Sequence, residues 1–130
     1  AQYDANDWKL SALYAAGTLG DTEAINASAG ITAGSDDAAP EEFSGWYVEA
    51  GYKAFMWGDY NIQPFARYAD FNTQEKVATG FTTDPNNADT VMTYGVSFFL
   101  DPDVVLKLDV QDCDRNGEND STNIGIGWMY

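Results

Sequence analysis

Apolar and polar side chains alternate with a period of two along six stretches of the chain, about residues 7 to 19, 45 to 56, 60 to 72, 89 to 100, 104 to 112 and 122 to 130. A period of two puts successive side chains on opposite faces of a strand, and no helical period competes with it, so the pattern predicts an all-β chain. One face carries Trp8, Leu10, Ala12 and Tyr14, then Trp46, Val48, Ala50, Tyr52 and Ala54, then Ile62, Pro64, Ala66 and Tyr68. It continues with Met92, Tyr94, Val96, Phe98 and Leu100, then Val104, Leu106, Leu108 and Val110, then Ile124, Ile126, Trp128 and Tyr130. None of these positions is charged. The opposite face holds Lys9, Ser11, Glu49, Gly51, Lys53, Gln63, Arg67, Thr93, Gly95, Ser97, Lys107, Asp109, Gln111, Asn123, Gly125 and Gly127. Alternation alone leaves open which face meets water.

The links between these stretches are long and short in turn: 20 to 44, 57 to 59, 73 to 88, 101 to 103 and 113 to 121. In an antiparallel meander alternate links fall at the same end, so three long acidic loops are expected at one end and two tight turns at the other. Keeping the apolar parity pairs Met56 with Tyr60 and Leu100 with Val104, which leaves three-residue turns Trp57-Gly58-Asp59 and Asp101-Pro102-Asp103. Pro64 lacks a ladder donor, so a bulge or one lost bond is expected there. Residues 20 to 44, rich in Ala, Gly, Ser and Thr with six acids and no base, read as a mobile loop without recognisable chemistry.

Composition narrows the function. With 130 residues, 45% hydrophobic and 15% aromatic, the chain is one domain's worth of material. It lacks the run of about twenty apolar residues that a helical membrane span needs, although a barrel strand would escape that test. A net charge of −15 with six Lys and Arg speaks against nucleic-acid binding. There is no histidine, so any Ser or Cys nucleophile lacks its usual base and zinc its commonest ligand; an enzyme is not expected. The lone Cys113 allows no internal disulfide and reads as a passive thiol.

Two clusters are candidate sites. Lys9, Lys53, Arg67 and Lys107 share the polar face with the acids Glu49 and Asp109 and with Gln63 and Gln111, giving a basic arc in an acidic protein. Such an arc serves as a path for anions, or its charges form cross-strand ion pairs that stiffen the wall, and the two roles are compatible. Asp112, Asp114, Asn116, Glu118 and Asp120 follow the first half of a calcium-loop pattern, D-x-D-x-N-G, with Gly117 at the bend. Its twelfth position is Asn123 rather than Glu, so a solvated acidic hairpin loop is the competing reading, and no other cofactor is expected.

The terminal residues Asn123, Gly125, Trp128 and Tyr130 form a polar-x-Gly-x-x-apolar-x-aromatic ending that resembles the targeting signal of bacterial outer-membrane β-barrels. Further stretches, Trp8-Lys9-Leu10 to Tyr14-Ala15, Ile62-Gln63-Pro64-Phe65-Ala66-Arg67-Tyr68, Tyr94 to Leu100 and Val104 to Asp109, resemble the C-terminal part of Gram-negative porins, especially the phosphate-selective type. The resemblance implies an outer-membrane barrel, often trimeric, that passes small solutes by diffusion, amid lipid and lipopolysaccharide. It also orients the strands: Trp8, Tyr52, Phe98, Trp128 and Tyr130 mark a lower aromatic girdle, Trp46 and Tyr68 an upper one.

Six strands fall short of the roughly eight that close the smallest transmembrane barrel, and porins have roughly sixteen or more. Residues 1–130 are therefore expected to be a single partial β-barrel domain, the last six antiparallel strands of a longer porin whose remaining strands lie elsewhere. Other chains pooling strands, or a separate polypeptide supplying them, are the alternatives. The opening Ala1-Gln2-Tyr3, without Met, reads as a cut end. The contrasting functional reading is a soluble secreted β-sandwich that binds carbohydrate or calcium.

Overall fold

The computed structural model describes residues 1–114 and 120–128. In chain order it contains β1 (Gln2–Ala5), β2 (Trp8–Thr18), α1 (Thr22–Ser28), β3 (Pro40–Tyr52), β4 (Phe55–Trp57), β5 (Tyr60–Val77), β6 (Ala88–Asp101), β7 (Val104–Cys113) and β8 (Ser121–Trp128). A single 3-10 turn, Pro85–Asn87, precedes β6. The chain is all-β, and its eight strands form one meander-like antiparallel sheet in the order β1-β2-β3-β5-β6-β7-β8, with β4 attached to β5.

Eight strands replace the expected six, for two local reasons. β1 is too short to show a period, yet it folds back on β2 through the two-residue turn Asn6-Asp7, pairing Ala5 with Trp8. Asn6 takes a left-handed φ of 54°, a conformation that asparagine tolerates and hairpin turns use. β4 arises because the alternation slips by one residue at Lys53-Ala54. Lys53 N–H donates to the Asp7 carbonyl and Ala54 N–H to that of Ile62, and beyond this point Phe55 lies opposite Ile62. Because Ala54, Phe55, Met56 and Trp57 are all apolar, the slip leaves no mark in the sequence.

Both expected three-residue turns are two-residue turns. Trp57 pairs with Tyr60 around Gly58-Asp59, where Gly58 supplies a φ of 62° without steric cost. Asp101 pairs with Val104 around Pro102-Asp103, and the register shifts between Phe99 and Asp101, so Leu100 is the residue left over. Pro102 cannot adopt a left-handed φ; instead Asp101 Oδ1 accepts the Asp103 N–H at 3.2 Å to close the bend. β5 runs through Pro64 and on to Val77, with the Pro64 ring exposed.

The chain divides into two compact units. The first comprises Ala1–Leu13, Tyr47–Ala69 and Val91–Tyr130. Its burial is inverted relative to a soluble sheet. Trp8, Leu10, Val48, Tyr52, Tyr94, Leu108, Val110 and Ile126 are exposed, with Ile124 at 76% and Trp128 at 67%. Gln63 at 8% and Thr93 at 6% are buried, and Lys9, Ser11, Glu49, Arg67, Lys107 and Asp109 are half-buried. The exposed rings of Trp8 and Tyr52 pack with centroids 5.0 Å apart.

Phe65 anchors the polar face of this unit. Its ring occupies the space that a side chain at residue 95 would need, and a Cβ there would also lie 2.6 Å from the Leu108 carbonyl oxygen. Only glycine lets ring and strands approach this closely.

The second unit, Tyr14–Trp46 and Asp70–Thr90, is organised by amide side chains. Gln74 is 3% exposed and uses both ends of its amide: Nε2 donates to the carbonyls of Asp36 (3.0 Å) and Ala38 (2.7 Å), while Oε1 accepts from Asp84 N–H (2.6 Å) and Asn87 Nδ2 (3.1 Å). Gly34 N–H donates to the Gly80 carbonyl, and Thr82 N–H to that of Ser35. Asn26, fully buried on α1, accepts the Ala39 N–H at 2.7 Å through Oδ1. The segment expected to be a mobile loop is thus tied down: helix, strand start and latch replace the coil, because buried amides supply the partners that a poor apolar core does not.

On the exposed side of this unit Lys76 Nζ bridges Glu42 at 3.2 Å and Glu41 at 3.3 Å. Hydrogen bonds to Glu42 and Glu41 hold its ammonium above the ordinary lysine value.

Two substitutions test these anchors. Gly95→Ala is expected to cost about 1–3 kcal/mol of stability through overpacking, read as a lower urea midpoint; an unchanged midpoint would mean that the Phe65 ring and β7 move aside freely. Gln74→Leu is expected to cost about 2–4 kcal/mol and to raise amide exchange across 34–39 and 80–87, since it orphans buried backbone groups.

Candidate functional site

The polar face of the first unit is built strand by strand from short side chains between long ones. β7 lies between β6 and β8 with Ser97 opposite Lys107 and Gly125 opposite Lys107 on the other side, so small neighbours flank the lysine. Thr93 and Ser121 flank Gln111 in the same way, and Ser121 Oγ donates to Gln111 Oε1 at 3.4 Å. On β3, Gly51 leaves room for the Gln63 amide from β5.

Arg67 is the most constrained cation. Its Nη2 and Nε both donate to Glu49 Oε2, at 2.7 and 2.9 Å, and its guanidinium lies 4.7 Å from the centroid of the Tyr47 ring. Glu49 also accepts the Ser11 hydroxyl at 3.5 Å, so three strands meet at this carboxylate. Lys107 Nζ sits 4.0 Å from the centroid of the Phe65 ring. The ring quadrupole steadies the ammonium without neutralising it.

The eight expected wall residues thus fall into distinct states. Arg67 and Glu49 form a cross-strand ion pair. Asp109 accepts from Asn123 Nδ2 at 3.0 Å. Among the described residues Lys9, Lys53 and Lys107 form no ion pair, which leaves three cations against two unpaired carboxylates, Asp109 and Asp4, the latter opposite Lys9 on β1. Gln63 and Gln111 add neutral hydrogen-bonding groups between them. The arc is therefore electropositive even though the whole chain carries −15.

Tyr47 and Phe65 belong to this face and were not singled out from sequence. Their parity was the available signal: each sits two residues from a charged wall residue, Tyr47 before Glu49 and Phe65 before Arg67. Aromatic rings are usually assigned to the apolar face, and here two of them support cations instead.

For the candidate calcium loop, Asp112 lies on β7, Asp114 just beyond it and Asp120 just before β8, while Asn116 and Glu118 lie outside the described residues. Asp120 Oδ1 accepts the Cys113 N–H at 3.3 Å. Among the described residues no three His, Cys, Asp or Glu side chains converge on one point. Of the terminal signal, Asn123, Gly125 and Trp128 lie on β8, which ends the strand path, and Tyr130 lies outside the described residues.

A double-mutant cycle with Lys107→Met and Phe65→Leu is expected to give a coupling of about 0.5–1 kcal/mol in unfolding free energy, and strictly additive effects would remove the cation–ring contact from the account of the wall.

Compared with known proteins, the chain is 25% identical over 136 residues to an uncharacterized protein of Aquifex aeolicus, a match that covers 99% of this chain and 31% of the relative. It therefore spans about a third of that relative's length. No family model and no solved structure matches it.

Proposed function

We propose that this chain is part of the wall of an outer-membrane β-barrel porin, a passive channel for small hydrophilic solutes and ions that favours anions. One observation carries the reading: on the apolar face of the first unit large side chains such as Leu10, Val48, Leu108, Ile124 and Ile126 are exposed, while on the polar face Gln63 and Thr93 are buried and Lys9, Glu49, Arg67, Lys107 and Asp109 are half-buried. In water such a surface would be a large contiguous apolar patch of a kind that soluble monomers avoid. Against lipid the same surface is favoured, because neighbouring strands satisfy each other's backbone groups within the sheet and the apolar face meets hydrocarbon. Trp8, Tyr52 and Trp128 supply the amphipathic rings expected at a membrane boundary.

The polar face then lines water, and its unpaired lysines concentrate anions. The order β1 to β8 leaves an edge at each end of the path, and the proposed barrel is completed by further strands of a longer polypeptide; the homotrimer and the lipopolysaccharide contacts belong to this proposal as well. The relative's greater length accommodates such strands. A soluble β-sandwich reading would need the exposed face covered, and the exposure of Ile124, Ile126 and Trp128 weighs against it.

Two measurements test the proposal. Purified protein is expected to need detergent and to produce conductance steps in a planar bilayer; a monodisperse species in plain buffer would sink the membrane reading. Leu108→Arg, in the middle of the exposed face of β7, is expected to cost about 2–4 kcal/mol for folding into lipid vesicles, whereas at a water-exposed site the change would be close to neutral.

A further inference from the structure

We infer that Glu49 sets the charge selectivity of the wall by masking Arg67, an assignment that rests on the channel reading above. The geometry is specific to one oxygen. Both Nε and Nη2 of Arg67 converge on Glu49 Oε2, so the positive charge is compensated at contact distance. The Tyr47 ring covers one face of the guanidinium, and the Ser11 hydroxyl steadies the other carboxylate oxygen. The side chains are only partly exposed, Glu49 at 20% and Arg67 at 38%, so water screens the pair incompletely. A paired acid and base present a dipole to a passing ion, and its field decays faster than that of a single charge.

The remaining bases of the wall have no such partner. Lys9, Lys53 and Lys107 keep their full charge among the described residues, and Asp109 is hydrogen-bonded by a neutral amide instead of a cation. Among the described residues Glu49 is thus the one acid of this face in contact with a base; Asp4, opposite Lys9 on β1, forms no ion pair with it. Removal of Glu49 would add a fixed positive charge to the wall without adding a basic residue.

Glu49→Gln tests this directly. The amide oxygen can take the place of Oε2 and accept from Arg67, and the amide nitrogen in the place of Oε1 can donate to the Ser11 hydroxyl oxygen, so the local geometry keeps its hydrogen bonds while the negative charge is gone. In planar bilayers under a salt gradient, with the full natural polypeptide, the anion-to-cation permeability ratio is expected to rise roughly two- to five-fold, the scale of one unit charge acting across ~4 Å of water-like dielectric. Arg67→Gln is expected to push the ratio below wild type, and the double variant to return it to wild type. Should Glu49→Gln fail to assemble, the Arg67→Gln and double variants still decide the matter.

Conductance steps with an unmoved reversal potential in the single variants would overturn this assignment alone, as would a double variant that keeps the shifted ratio. A wild-type protein without conductance steps would overturn the channel reading and this assignment with it.

Discussion

Backbone hydrogen bonding sets the terms for everything else in this chain. Each strand residue carries a donor and an acceptor that must be satisfied, and the antiparallel ladder does so without help from side chains. Once the ladder is closed between neighbours, the two faces are free to differ. In the first unit one face carries most of the large apolar residues and leaves many of them exposed; the other carries charges, amides and glycines, with Gln63 and Thr93 buried and Lys9, Glu49, Arg67, Lys107 and Asp109 half-buried. A small apolar core would be a poor basis for a soluble domain, and among the described residues the buried apolar side chains are few: Ala38, Phe65 and Ala78. What holds the strands together is the ladder and, on the polar face, close contacts such as Phe65 across Gly95 and Arg67 with Glu49.

The same economy explains the composition of the polar face. Long side chains need space, and Gly51, Gly95, Ser97 and Gly125 provide it at neighbouring ladder positions. Tyr47 and Phe65 then act as platforms for cations. On this face Lys107 is held by a ring, Arg67 by a ring and a carboxylate, and Asp109 by an amide.

The strands β6, β7 and β8 were legible because their alternation is unbroken, and the registers Val96 with Leu108 and Leu106 with Ile126 keep apolar opposite apolar. Alternation is identical whichever face meets water, so the inward placing of the polar residues was expected only from the resemblance to porins and not from the pattern itself. The slip at Lys53-Ala54 was hidden by four consecutive apolar residues, and the extra residue Leu100 by a turn of almost the expected length. The wall acids and bases were found by parity, but their pairing was not: nothing in the spacing of Glu49 and Arg67 distinguishes a bonded pair from two neighbours. α1 and the Gln74 network were missed for a different reason. They rest on tertiary hydrogen bonds from single amides, which leave no periodic trace.

The Gln74 latch is indifferent to most of the side chains it organises. Three of its four bonds go to backbone atoms, the carbonyls of Asp36 and Ala38 and the N–H of Asp84, and the neighbouring bonds of Gly34 with Gly80 and Ser35 with Thr82 are also backbone bonds. Outward side chains in these segments can therefore change identity while the path of the chain is kept. Positions such as Asp37 and Thr83 are free to drift under pressures acting on the surface, whereas Gln74 itself has no isostere that both donates twice and accepts twice. The latch separates what these segments look like from where they run.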